Sequence, residues 1–281
     1  MIYPQSVQSN EDVARHYDGL DTFYREVWSD HLHHGYWECG DETVEEAVTA
    51  LVDLVASRAA LTAGARVCDV GCGYGAAASY LASRYDADVT GITLSELQYR
   101  YAVERNGSAS CRFLLGDWLD NDLPEWSFHT VTAIECLSHM TDKARFFEEA
   151  YRVLAPGGRV VICVWLAGST ASEHERRWLL EPICREGRLA SLADAGEVRQ
   201  LAGDAGFENI ESMLLTRRVR RTWNVCARRL LGRIVTNRRY QRFLMNSGNE
   251  DRTFLRAIPR IMIAYRTGAM EYGLFTARKA P

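Results

Sequence analysis

The stretch Val67-Cys68-Asp69-Val70-Gly71-Cys72-Gly73-Tyr74-Gly75 decides how this chain is read. An apolar run passes into three glycines spaced Gly-x-Gly-x-Gly, and a helical pattern follows. Small residues there let the backbone turn sharply from strand to helix and approach a ligand closely. A dinucleotide site favours Gly-x-Gly-x-x-Gly, with a pyrophosphate resting on the helix N-terminus. Here an acid, Asp69, stands two residues before the first glycine and suits a cationic or amino-bearing ligand instead. Alone, the loop specifies no more than a tight turn able to bind one.

Outward from the loop, short β-rich runs alternate with helical stretches. Strands are expected at 66–70, 87–92, 112–115, 129–134, 159–165, 209–215 and 271–277, with a turn at Pro156-Gly157-Gly158 before the fifth. Helices are expected at 75–84, 95–105, 142–154 and 195–205. Another opens at the capping box Thr43-Val-Glu-Glu46, with Val44, Ala47, Val48, Leu51, Leu54 and Val55 on one stripe. This alternation predicts an α/β fold: a seven-stranded, mostly parallel sheet with helices on both faces. The parts are an N-terminal lid and first helix (1–60), the core (61–215), a helical cap inserted before the last strand (216–268) and the closing strand (269–281). The lid crowds Tyr17, Trp28, His31, His33, His34, Tyr36 and Trp37 into a segment too apolar for a disordered tail.

Bulk properties exclude several classes. The chain has 281 residues, 47% of them hydrophobic, enough for one large domain. Its longest apolar stretch, Val160 to Gly168, is far short of the roughly 20 residues of a membrane span, and no signal-peptide pattern opens the chain, so a cytoplasmic protein is expected. The eight cysteines lie singly, without the close pairs of a zinc site, and read as reduced, mostly buried thiols. No metal is expected. His31, His33 and His34 lack a partnering acid cluster and read as packing residues.

Three further features accompany the glycine loop. Gly91-Ile-Thr93-Leu-Ser95-Glu-Leu-Gln98 places polar groups where ribose hydroxyls could be met. Gly116-Asp117-Trp118 places a carboxylate and an indole where an adenine amino group and ring face could be held. Arg152-Val-Leu-Ala-Pro156-Gly157-Gly158 leads into the fifth strand.

From about Ala65 to Trp165 these residues resemble the class I S-adenosylmethionine methyltransferases, which have a Rossmann-like fold. The resemblance implies S-adenosylmethionine as cofactor and S-adenosylhomocysteine as product. It implies Asp69, Gly71 and Gly73 around the aminocarboxypropyl arm, Gln98 near ribose, and Asp117 with Trp118 at adenine, with Cys72, Thr93 and Ile134 as further cofactor-binding residues. Thr93 departs from the acid usual at the second strand's end, yet Gly-Ile-Thr-Leu-Ser-x-x-Gln is similar to the variant in tocopherol methyltransferases and cyclopropane fatty acid synthases. Trp28-Ser-Asp30-His31-Leu-His33-His34-Gly35-Tyr36 and Glu135-Cys-Leu-Ser-His139-Met-Thr-Asp142 resemble the γ-tocopherol methyltransferase-like group. That group methylates small molecules at carbon, oxygen or nitrogen.

Methyl transfer from a sulfonium is an in-line displacement, so positioning and water exclusion dominate. A carbon nucleophile adds two needs: stabilisation of developing positive charge, and a base for the departing proton. Glu135, just past the fourth strand, is the candidate for either role, or else a carboxylate that binds cofactor or loop amides. His139 could share the proton, anchor an anion or cap its loop. Tyr17 is the third catalytic candidate, as part of the lid. Tyr36, His33, Trp165 and Trp223 are candidates for the acceptor pocket.

From Arg217 to Arg242 there are ten arginines and no acid, in a chain of net charge −4. Trp223, Ala227, Leu230, Leu231 and Ile234 fall on one helical face among them. The arginines could pair with the acidic remainder or another subunit, bind an anionic acceptor such as a prenyl diphosphate, or touch a membrane surface. Net acidity and the absence of an RNA module argue against nucleic acid, and stable membrane insertion is not expected. The expected partner is a small-molecule acceptor, with a homo-oligomer as a further option. The resulting expectation is a methyltransferase of natural-product metabolism acting on an electron-rich carbon of a prenylated, terpenoid or aromatic acceptor. O- or N-methylation is the close rival, and non-catalytic cofactor or partner binding the remote one.

Overall fold

The computed structural model describes residues 1–4, 13, 15, 18–19, 21, 25–28, 30–245 and 254–281. Seven strands form one sheet: β1 (Arg66–Val70), β2 (Asp88–Thr93), β3 (Cys111–Leu115), β4 (Phe128–Ile134), β5 (Leu154–Ala167), β6 (Glu208–Leu214) and β7 (Met270–Arg278). Their order is β3-β2-β1-β4-β5-β7-β6. β1 to β5 run parallel, and β7 is antiparallel to both β5 and β6. The fold is therefore the Rossmann-like α/β arrangement that the alternation predicts.

Helices α1 (Val44–Ala59), α2 (Ala76–Tyr85), α3 (Glu96–Asn106) and α4 (Lys143–Val153) cover the parallel part. The Thr43 capping box forms: its hydroxyl accepts the Glu46 N–H, and Glu46 Oε2 accepts the Thr43 N–H at 2.7 Å. One face of the sheet packs Val67 and Val89 against Val52, Ala56, Ala78 and Leu81 of α1 and α2. The other packs Cys68, Val131 and Val160 against Phe146, Phe147 and Ala150 of α4. Alternate residues of buried strands thus fill two cores, as the two-residue strand period requires. Gly75 starts α2 at φ +80°, and a Cβ there would meet the Phe113 ring at 2.5 Å, so the turn admits no side chain.

Two local expectations are corrected. Pro156-Gly157-Gly158 does not precede β5 but lies within it, beside a register shift opposite Phe128 and Thr130. The glycines act there as a bulge, which carries the same local signal as a turn. Residues 173–186, unassigned from sequence, form α5 (Glu173–Glu175), a π-helical turn (Arg176–Leu180) and α6 (Glu181–Glu186).

Downstream, α7 (Ala195–Asp204) precedes β6, and α8 (Thr216–Val219), α9 (Arg221–Thr236), α10 (Arg238–Met245) and α11 (Phe254–Thr267) fill the interval before β7. Trp223, Cys226 and Leu230 of α9 join a third core with Leu51, Cys163, Tyr265 and Tyr272.

The site follows from strand order. After β1 the chain moves outward to β2 and β3, then returns across the start to β4 and β5. Such a reversal leaves a crevice beyond the carboxyl ends of the two central strands. Asp69 sits at the end of β1 and Glu135 just past the end of β4.

Candidate active site

A cleft opens at that crevice, where open α/β sheets bind small molecules. Of the residues singled out in the sequence, Asp69, Gly71, Cys72, Gly73, Thr93, Gln98, Trp118, Ile134, Glu135, His139 and His33 line it.

The cofactor end is built around a buried carboxylate. Asp69 is 2% exposed; its Oδ1 accepts the Thr132 hydroxyl at 2.9 Å, while Oδ2 has no hydrogen-bond partner. Burial pushes its pKa up to about 7, against the pull of Thr132. An orphaned buried oxygen of this kind fits the amino group of the aminocarboxypropyl arm. Gly71, at φ +68°, would place a Cβ 2.4 Å from Cys136 Cβ, so the loop has no room for a side chain. Thr93, in place of an acid, donates its hydroxyl to Gln98 Oε1 at 3.0 Å and holds that amide at the cleft. The Ser95 hydroxyl accepts the Gln98 N–H, capping α3, and donates to Asp18 of the lid at 2.6 Å. These residues fit S-adenosylmethionine.

At the opposite side stands Glu135. Its backbone is left-handed, at φ +64°, a conformation costing a non-glycine residue about 1–2 kcal/mol. Its N–H donates to Cys163 O, and its carboxylate is held by four donors. Oε1 accepts the His34 backbone N–H at 2.7 Å, His34 Nδ1 at 2.9 Å and the Tyr272 hydroxyl at 2.8 Å; Oε2 accepts Trp165 Nε1 at 2.9 Å. Burial pushes this carboxyl up, but the attraction and hydrogen bonds of His34 overturn it and bring the pKa to about 2. The group is a fixed anion and a poor proton acceptor. Around His34 stand the rings of Trp165, Trp223, Tyr265 and Tyr272, with centroids 5.0–5.9 Å away.

The lid spans the two sides. His33 Nδ1 lies 2.9 Å from His34 O and therefore carries the proton, so His33 Nε2 accepts from His31 Nδ1 at 3.1 Å. Burial lowers the pKa of His33 and brings that of His31 to about 3, keeping both imidazoles neutral. Tyr74 donates to Asp21 and Tyr101 to Asp30, while Arg229 of α9 donates to the carbonyls of Val27 and Trp28 at 3.0 and 2.6 Å.

Several sequence candidates fall elsewhere. Asp117 does not line the cleft: its Oδ1 accepts the Leu119 N–H at 2.9 Å, stabilising its own turn. Trp118 reaches the cleft but is 2% exposed, with its indole N–H given to Phe146 O. Trp165, Trp223 and Tyr36 lie behind the cleft, among the residues supporting Glu135 and the third core, not on its surface. His139 lines the cleft, with Nδ1 3.1 Å from Arg188 O. Tyr17 lies outside the described residues. Sequence reasoning missed Asp30, Leu32, Cys136 and Met140 on the cleft wall, and the Tyr272 support. Among the described residues no arginine or lysine lines the cleft.

The family model described as mycolic acid cyclopropane synthetase matches residues 5–239. The chain belongs to this family. It is 28% identical over 290 residues to the chloroplastic tocopherol O-methyltransferase of Arabidopsis thaliana, covering 95% of this chain and 81% of that one. It is 32% identical over 226 residues to the 27-O-demethylrifamycin SV methyltransferase of Amycolatopsis mediterranei, covering 79% and 82%. Among solved structures, the cyclase SpnF superposes with a TM-score of 0.80 at 26% identity, covering 100% and 99%. The mycolic acid cyclopropane synthase CmaA1, in complex with S-adenosylhomocysteine, superposes at 0.84 and 24% identity, covering 98% and 100%. This member of the tocopherol methyltransferase and cyclopropane synthase group is an S-adenosylmethionine-dependent methyltransferase of small molecules. No helix among the described residues is long and apolar enough to cross a membrane.

Proposed function

We propose that this enzyme methylates an electron-rich carbon of a neutral, lipophilic natural product of prenylated, terpenoid or aromatic type. S-adenosylmethionine, when bound, supplies the methyl group on a sulfonium. Asp69 would hold its amino group, and Gln98 with Thr93 its ribose. The observation that carries the carbon reading is the Glu135 carboxylate, kept ionised by four donors at the edge of a cleft whose described lining has no arginine or lysine. A fixed anion favours a substrate carbon that becomes positive as its new bond forms. The same anion, with no arginine or lysine among the described lining residues, disfavours a diphosphate acceptor, so the prenyl diphosphate reading of the arginine-rich segment is set aside.

Glu135 then acts as the cation stabiliser and not as the base. Oxygen methylation is the second reading, favoured by the relatives whose names specify it.

The test is a panel of acceptors with carbon-13-labelled methyl donor, read by NMR. A new carbon-bound methyl on a neutral prenylated or aromatic acceptor supports the proposal; a methoxy product instead supports the second reading. Conversion of diphosphates in preference to neutral acceptors overturns the acceptor class.

A further inference from the structure

The arginine-rich segment is absorbed neither by the core nor by the cleft. All ten arginines between Arg217 and Arg242 are exposed. Arg218 donates to a backbone carbonyl and Arg229 to two, and Arg221 lies over the Trp37 ring. Arg228, Arg233, Arg238 and Arg242 have no carboxylate partner among the described residues. Pairing with the described acids is therefore not what these four do.

Helix α9 has two apolar aspects. Trp223, Cys226 and Leu230 pack inward. Opposite them, Leu231 and Val235 are 62% and 77% exposed, one turn apart, and Arg228 precedes Leu231 on the same aspect. Met245, ending α10, is 82% exposed, and Met245 and Val235 are the most exposed large apolar residues described. Basic side chains around protruding aliphatic ones form the pattern that binds a membrane interface, where anionic headgroups meet the arginines and the acyl boundary takes up the apolar tips.

We propose that the outer face of α9 and α10 docks on an anionic lipid bilayer. Single-stranded nucleic acid would match the charge but finds no exposed aromatic ring on the described part of these helices for base stacking. The inner side of the same helix grips the lid: Arg229 holds the Val27 and Trp28 carbonyls, Tyr240 donates to Glu26, and Trp223 meets Trp28 edge-on at 5.4 Å. Docking would thus set the lid one helix thickness from the lipid surface. The proposal is independent of which acceptor is methylated.

The experiment is flotation of the full chain with vesicles of phosphatidylglycerol and phosphatidylcholine, against pure phosphatidylcholine, with S-adenosylhomocysteine calorimetry as a check of folding. The wild type is expected to float with the anionic vesicles, less as salt rises. Arg228→Glu with Arg242→Glu, and separately Leu231→Glu with Val235→Glu, should each weaken flotation at least about tenfold while leaving S-adenosylhomocysteine binding unchanged. Equal flotation of wild type and both variants overturns the proposal. So does charge-independent binding to pure phosphatidylcholine, tighter binding to a single-stranded oligonucleotide than to vesicles, or self-association through this face that both variants abolish without any vesicle binding by the wild type.

Discussion

His34 meets one oxygen of Glu135 twice, through its backbone N–H at 2.7 Å and through Nδ1 at 2.9 Å. This double contact joins the lid to the end of β4 and keeps the carboxylate charged despite its burial. Glu135→Gln should retain S-adenosylhomocysteine affinity within about threefold while kcat falls on the order of 10²–10³-fold. Unchanged kcat would show that the carboxylate only supports the fold.

The pH dependence of the same contact is testable. The folded pKa of Glu135 is depressed to about 2, so its contribution to stability is complete above the ordinary carboxylate range and is lost as pH falls toward that value. Turnover should accordingly show no Glu135 ionisation at pH 5 and above. In His34→Phe, the imidazole's attraction and hydrogen bond are lost, so burial weighs more and the pKa rises, adding an acid limb to the pH–rate profile. His34→Asn, which keeps a side-chain donor, should shift that limb back. A limb identical in wild type and both variants would assign it to another group.

Asp69 behaves in the opposite sense. Burial raises its folded pKa to about 7, so ionisation costs stability as pH rises from the ordinary carboxylate range through that value. A bound amino group favours the ionised form, so S-adenosylhomocysteine affinity should increase about tenfold from pH 6 to pH 8 and then level off. Asp69→Asn should bind more weakly, without that slope. Calorimetry at several pH values decides, and a persistent slope in the variant would move the titration elsewhere.

Gly71→Ala adds a Cβ against Cys136 and places a side chain at positive φ. It should lose about 1–3 kcal/mol of stability and most S-adenosylhomocysteine binding. Adding Cys136→Gly removes the steric partner but not the backbone strain, so stability should recover in part. Full recovery in chemical denaturation would mean the clash alone excludes side chains; no recovery would mean the backbone does.

Arg229→Met removes the two bonds to the lid carbonyls while keeping an aliphatic stem. Amides at residues 26–34 should exchange with solvent at least about tenfold faster, and KM for the acceptor should rise more than kcat falls. Unaltered exchange would locate the lid's anchorage elsewhere, with Ser95, Tyr74, Tyr101, Tyr240 and Glu135 among the remaining contacts.

The central sheet was legible because each buried strand is a short apolar run ended by glycine or a polar residue. Asp69, Thr93, Gln98 and Glu135 could be placed for the same reason: strand ends in an open α/β sheet converge on one crevice. What surrounds Glu135 was not legible, since His34 lies 101 residues before it and Tyr272 137 residues after it. No local pattern records such a meeting. That Trp165 and Trp223 stand behind Glu135 was not legible either, because composition shows that an aromatic ring is near a site, while only packing shows which wall it supports. The residues at 173–186 escaped notice because their helix is divided into pieces of three, five and six residues, too short for a clear period.

The Ser95 hydroxyl, which caps α3 beside Gln98 and donates to Asp18, ties the cofactor helix to the lid, and Arg229 ties the lid to α9. A lid fastened at both ends is an ordering cost that whichever ligand arrives first can discharge for the second. Donor and acceptor should therefore bind with positive cooperativity, and the gain must be mutual: each strengthens the other by one and the same factor.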